Sequence, residues 1–131
     1  MQQKTNKMSK SLILTTGVYD MIKDHVKRKK ATAVQEATLL LQLKNAKQVT
    51  RKELPENVIN IDTRATIKYL DTNEEEVFTF VAPDKAKRRN NTESIMSTMG
   101  LALVGCQEGD IINWVFEEGE KEIELLKVER I

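Results

Sequence analysis

The spacing of apolar residues in this chain changes once, at Leu54-Pro55, and that change restricts the folds open to it. Before it, Val18, Ile22 and Val26 recur every four residues with Met21 beside them, which makes one face of a helix. After it the period is two, the signature of half-buried strands. The proline marks the boundary, because the residue before a proline is pushed out of the helical region. Helices come first and strands follow, with one more short helix among them, so the class is α+β.

The first helix starts at Thr15 or Thr16, after the short apolar stretch SLILTT, and dissolves into Lys27-Arg28-Lys29-Lys30. A second begins at Thr32-Ala33-Val34-Gln35, which fits a capping box: the Thr32 hydroxyl and the Gln35 side chain each take an orphan N–H. Its apolar set is Val34, Ala37, Leu40, Leu41 and Leu43. Two helices of about fifteen residues, each roughly 20 Å long, joined by so short a turn make an antiparallel hairpin, a short coiled coil over residues 15–53. Residues 1–14 are expected to be a flexible segment carrying the apolar anchor.

Residues 54–131 form the second part. Val58–Ile61 reads as a short strand, Ala65–Leu70 as a longer one, and Val77–Val81 as its hairpin partner across Asp71-Thr72-Asn73. The polar stretch PDKAKRRNNTES has no period and is expected to be a loop. Thr98 to Gly105 is a short helix, capped by Ser97 or Thr98 and stopped by Gly105. Gly109-Asp110 turns the chain into Ile111–Phe116, and Lys121–Arg130 is the last strand.

Composition narrows the function. Residues 1–53 carry 12 Lys/Arg against 4 Asp/Glu, and residues 54–131 carry 9 against 16, so a basic hairpin precedes an acidic body. Cys106 is the sole cysteine, which rules out an intramolecular disulfide or a cysteine-based zinc cluster, and it reads as a core residue. His25 lies on or beside the apolar face of the first helix and reads as packed or capping. No apolar run reaches the roughly 18 residues of a membrane span. The expected location is the cytoplasm. No glycine-rich phosphate loop or Ser/His/Asp arrangement is evident, and no cofactor or metal is expected.

The order of segments in the second part carries a resemblance. LPENVINIDTRATIKYLD, then EEVFTFVAPDKA, then ESIMSTMGLALVGCQEGDIINWVF, resembles the C-terminal domain of the Gre/Rnk group of transcription factors. The turn into the short helix is Ser97-Thr98-Met99-Gly100, followed by Ala102-Leu103-Val104-Gly105, then Gly109-Asp110 and Trp114. The resemblance implies an FKBP-like fold, an antiparallel sheet curled around one short helix. Thr98 stands where the family commonly has proline, and EEGE lacks the family's proline-glycine pair.

It also implies a partner, RNA polymerase. In Gre factors a long coiled coil enters the polymerase secondary channel, and acidic residues at its tip help hold a catalytic Mg²⁺ for transcript cleavage. Here the hairpin is short and its tip is Lys27, Arg28, Lys29 and Lys30. Ammonium and guanidinium groups cannot ligate Mg²⁺, which needs oxygen donors. The expectation is therefore a regulator without chemistry of its own, docking at the channel rim and competing with Gre-type factors. Its docking residues by resemblance are Ser97, Thr98 and Met99, with Met96 as a Rnk-like trait.

Neither membrane contact nor sequence-specific DNA binding is expected. Three alternatives stand. A cleavage factor would act through Asp24 or Glu36. A peptidyl-prolyl isomerase would need a pocket lined by aromatics, and Phe78, Phe80, Trp114 and Phe116 read more simply as core. A nucleoside diphosphate kinase partner is suggested only by the name of the Rnk branch.

Overall fold

The computed structural model describes residues 12–116 and 118–131. The expected flexible segment therefore lies, up to residue 11, outside the described residues. The chain opens with strand β1 (Ile13–Thr15) and passes directly into helix α1 (Thr16–Lys27). Thr15 is the cap, its hydroxyl accepting from the Val18 N–H at 3.4 Å. Val18, Ile22 and Val26 are buried, as their spacing predicts. The helix gives out at Arg28, and Lys29 turns the chain with a φ of 58°.

Helix α2 (Ala33–Asn45) starts on the expected capping box. Thr32 Oγ1 accepts from Gln35 N at 3.2 Å, and Gln35 Oε1 accepts from Thr32 N at 3.4 Å. Strand β2 (Lys47–Val49) then pairs parallel with β1, so the hairpin leaves and returns to one point. The periodicity gave no sign of this ladder.

The inner face of α2 differs from expectation. Leu39, Gln42 and Leu43 are buried, whereas Val34, Leu40 and Leu41 are 57%, 50% and 39% exposed. Apolar residues at 34, 37, 39, 40, 41 and 43 encircle most of the helix, so its period does not choose an inner face. α2 packs against α1 in the hairpin, and Leu39 and Leu43 join the buried cluster that continues into the body.

Past Leu54, the Val58–Ile61 segment forms no strand. Val58 makes a single bridge to Gln107, and Ile59 exchanges backbone hydrogen bonds with Cys106 and Gly105 at 2.9 and 3.0 Å. Strands β3 (Thr63–Tyr69) and β4 (Glu75–Val81) make the predicted antiparallel hairpin. The polar stretch after it contains two 3₁₀ turns, Pro83–Lys85 and Arg88–Asn90, and a strand β5 (Thr92–Ser94) where a loop was expected. β5 is held by its parallel pairing with β4 and by Thr92 Oγ1, which accepts from Lys87 N at 2.8 Å.

Helix α3 (Thr98–Leu103), strand β6 (Ile111–Phe116) and strand β7 (Gly119–Arg130) complete the chain. The sheet order is β5-β4-β3-β7-β6, antiparallel except between β4 and β5. One buried cluster joins the hairpin to the sheet, running from Leu14, Ile22 and Leu39 through Ile95 and Leu103 to Phe80, Ile112 and Ile123. Cys106 and Trp114 belong to it. Gly105 ends α3 with a φ of 82°, and a Cβ there would lie 2.9 Å from Leu12 Cβ and Leu14 Cδ2. That glycine both reverses the chain and admits the N-terminal strand against the body. Among the described residues, no helix is long and apolar enough to cross a membrane.

Candidate functional site

The turn singled out in the sequence is built by α3 and the residues before it. Met96 N donates to Ser94 Oγ at 2.9 Å, which bends the chain off β5. Ser97 is the cap of α3: its hydroxyl accepts from Gly100 N at 3.1 Å and donates to Glu93 Oε2 at 3.2 Å. A Cβ on Gly100 would run into the Ile95 carbonyl, so only glycine lets α3 sit this close to its own approach segment. Thr98 is exposed, while Met96, Ser97 and Met99 are half-buried. Met96 and Met99 pack against the core.

The hairpin tip comes to this turn. Lys30, Thr32 and Gln35 share an open concavity of about 600 Å³ with Ser97, Thr98 and Met99. Phe78 and Phe116 contribute apolar walls, and Glu93 and Glu118 line it with negative charge. Gln35 ties the two sides together, since the side chain that closes the α2 capping box also reaches Val115 O with its Nε2 at 3.5 Å.

The four tip residues separate. Lys30 lines the concavity. Arg28 pairs with Asp24 at 2.9 Å, and Lys29 with Glu36 at 3.1 Å. Lys27 borders a different groove, beside Asp20, Lys23 and Leu40. Met96 does not line the shared concavity. The carboxylates of Asp24 and Glu36 thus each hold a tip cation, and the basic tip is partly neutralised by its own helices.

Two titratable groups are perturbed nearby. Burial lowers the His25 pKa from its ordinary 6.5, and the Lys30 ammonium lowers it further, against an opposing pull from Asp24. The Tyr69 phenol is pushed far up by burial, by its 2.8 Å hydrogen bond to Glu76, and by the charges of Glu76, Glu118 and Glu93. Lys121 lies 5.2 Å from the Tyr69 ring centre and 5.9 Å from that of Phe116, bracing this acidic side.

Among the described residues, no group of three or more His, Cys, Asp or Glu is arranged to hold a metal ion. The aromatics considered for an isomerase pocket divide: Phe80, Trp114 and Phe116 are buried, and Phe78 stacks on Phe80 at 5.9 Å between centroids. Glu93 is not singled out by the sequence, where its signal is a carboxylate four residues before the capping serine; Gln35 reads there as a capping residue and Phe78 as a core aromatic, and neither is placed in this concavity.

The model of the transcription elongation factor GreA/GreB C-terminal family matches residues 54–130, including the whole α3 turn. The chain belongs to the GreA/GreB family. Transcription elongation factor GreA of Helicobacter hepaticus is 31% identical to it over 106 residues, 79% of this chain and 65% of that protein. The regulator of nucleoside diphosphate kinase of Escherichia coli K12 is 32% identical over 89 residues, 67% of this chain and 65% of that relative. The chain therefore spans less than two thirds of the length of these curated relatives. A solved prokaryotic GreA/GreB factor from Nitrosomonas europaea, 20% identical, superposes with a TM-score of 0.67 over 92% of this chain and 99% of that one. That likeness extends the shared fold to the helical hairpin as well as the matched body.

Proposed function

We propose that this chain is an RNA polymerase-binding regulator that docks through the concavity between Lys30 and the Ser97–Thr98–Met99 turn and catalyses no reaction itself. It acts in the cytoplasm, at the rim of the polymerase secondary channel, in competition with Gre-type factors. The observation that carries this reading is the meeting of the family's docking turn and the hairpin tip in one concavity. Half-buried Met99 and the edge of buried Phe116 offer apolar contact there, and Lys30, Glu93 and Glu118 supply charges of both signs for specificity.

The ion pairs of the tip support the absence of cleavage chemistry. A Mg²⁺ site at the tip would need Asp24 or Glu36 to give up Arg28 or Lys29, and the surrounding cations would oppose the metal. Both points are tested together. Labelled chain is titrated against core RNA polymerase and then displaced with a Gre factor, and backtracked complexes are assayed for transcript cleavage. Saturable, displaceable binding without stimulated cleavage is the expected result. Cleavage that disappears in the Asp24→Ala/Glu36→Ala variant would establish the cleavage-factor reading instead.

A further inference from the structure

The acidic body gathers its cations in one place. Residues 54–131 hold nine Lys/Arg, and four of them, Lys85, Lys87, Arg88 and Arg89, fall within five residues between β4 and β5, with Asp84 as the adjoining carboxylate. All four are exposed. None is ion-paired with another described residue, whereas Arg28 and Lys29 of the hairpin tip have carboxylates at 2.9 and 3.1 Å. Backbone bonds hold the loop in shape. Lys85 N donates to Ala82 O at 2.9 Å, Asn90 N to Lys87 O at 3.0 Å and Asn91 N to Arg88 O at 3.0 Å. Thr92 Oγ1 accepts from Lys87 N at 2.8 Å and donates to Lys87 O at 3.2 Å, which clamps the loop to the sheet edge. The register carries positive charge onward from there. Thr92 of β5, Thr79 of β4 and exposed Arg64 of β3 lie in one row, about 10 Å from end to end. Glu129 follows on β7, and Lys127 pairs with it at 3.6 Å.

We propose that this loop binds the phosphate backbone of a nucleic-acid duplex without reading its sequence. Unpaired charge of one sign on a preformed loop suits phosphate, because each phosphate neutralised releases condensed counterions. The arginines and asparagines of 88–91 can donate to phosphate and sugar oxygens whatever the base. An acidic protein surface fits less well. A protein contact needs an apolar centre, and residues 83–93 expose no apolar side chain larger than Pro83. A single strand fits less well too, since the same stretch has no aromatic on which bases could stack. The contact goes beyond polymerase docking and does not depend on it. Arg88 lines a separate hollow of about 430 Å³ that shares Phe78, Glu93 and Ser97 with the docking concavity, so the loop stands beside that surface and leaves it open.

Fluorescence anisotropy of a labelled DNA duplex of about 20 base pairs, titrated with the full chain between about 20 and 150 mM salt, tests this without polymerase. Four phosphate contacts at about 0.9 each predict a slope of log affinity against log salt of roughly −3 to −4. Lys87→Gln/Arg89→Gln should flatten that slope by about two and weaken binding about tenfold or more at the lowest salt, with an unchanged melting temperature. Lys27→Gln/Lys29→Gln at the hairpin tip should leave the slope as it is. A slope that survives the loop variant overturns the proposal, and one that falls with the tip variant instead moves the contact to the hairpin. Tighter binding of a single strand of the same length overturns the duplex as the ligand. No binding at the lowest salt overturns the proposal outright; if the loop variant then binds core polymerase more weakly, an acidic protein surface is the occupant.

Discussion

Replacing Gln42 with methionine should stabilise the chain, although it removes a polar residue from a helix. Gln42 is 4% exposed, and neither its Oε1 nor its Nε2 has a hydrogen-bond partner among the described residues. A buried polar group left without a partner costs about 1–3 kcal/mol. Methionine keeps the length and flexibility of the side chain, so the space is filled without a new void. The gain should be about 2 kcal/mol, or roughly 6 °C in melting temperature for a chain of this size. The companion change, Leu41→Gln on the outer face, should stay within about 0.5 kcal/mol, because Leu41 is 39% exposed. Thermal unfolding followed by circular dichroism reads both variants. A loss of stability with Gln42→Met, together with a loss of about 2 kcal/mol or more with Leu41→Gln, would mean that α2 sits with its other face inward.

Other perturbations follow from the same geometry. Gly100→Ala should cost about 3 kcal/mol, because the new Cβ meets the Ile95 backbone rather than a side chain that could move; denaturant unfolding measures it. Ser97→Ala should cost about 1 kcal/mol by uncapping α3, and the loss should be smaller with Ser97→Asn, which can also cap. The lowered His25 pKa means that the unfolded chain binds the proton more tightly than the folded one. Its contribution to stability is therefore complete above about pH 6.5 and declines as pH falls from 6.5 toward the folded value. Melting curves between about pH 8 and pH 5 should show this decline, and His25→Gln should remove that part of it.

Local chemistry made much of the fold legible. Val18, Ile22 and Val26 bury as their spacing says, the Thr32 box caps α2, and Ser97 and Gly105 bracket α3. These features depend on neighbours within a few residues. The misreadings lie where a distant element decides. The inner face of α2 is set by its packing on α1 and in the shared buried cluster, which periodicity cannot see when apolar residues lie around most of the helix. β5 is three residues long inside a polar run and exists through its pairing with β4, and the β1–β2 ladder joins segments separated by the whole hairpin. Val58–Ile61 is apolar enough for a strand, yet it meets the 105–107 segment through isolated bonds rather than a ladder.

The candidate site was legible in its parts. The Ser97–Thr98–Met99 turn and the basic tip each stood out in the sequence, but their meeting depends on the hairpin lying against the sheet. The partition of the tip was hidden as well. Arg28 and Lys29 look as free as Lys30 until Asp24 and Glu36 are placed beside them.

The most direct test of the docking account measures the affinity of the chain for core RNA polymerase with Lys30→Glu, Met99→Glu and the exposed control Lys85→Glu. The account predicts that both concavity variants weaken binding about tenfold or more while the control leaves it unchanged. Equal affinity for all four proteins, with the fold intact by circular dichroism, would contradict it.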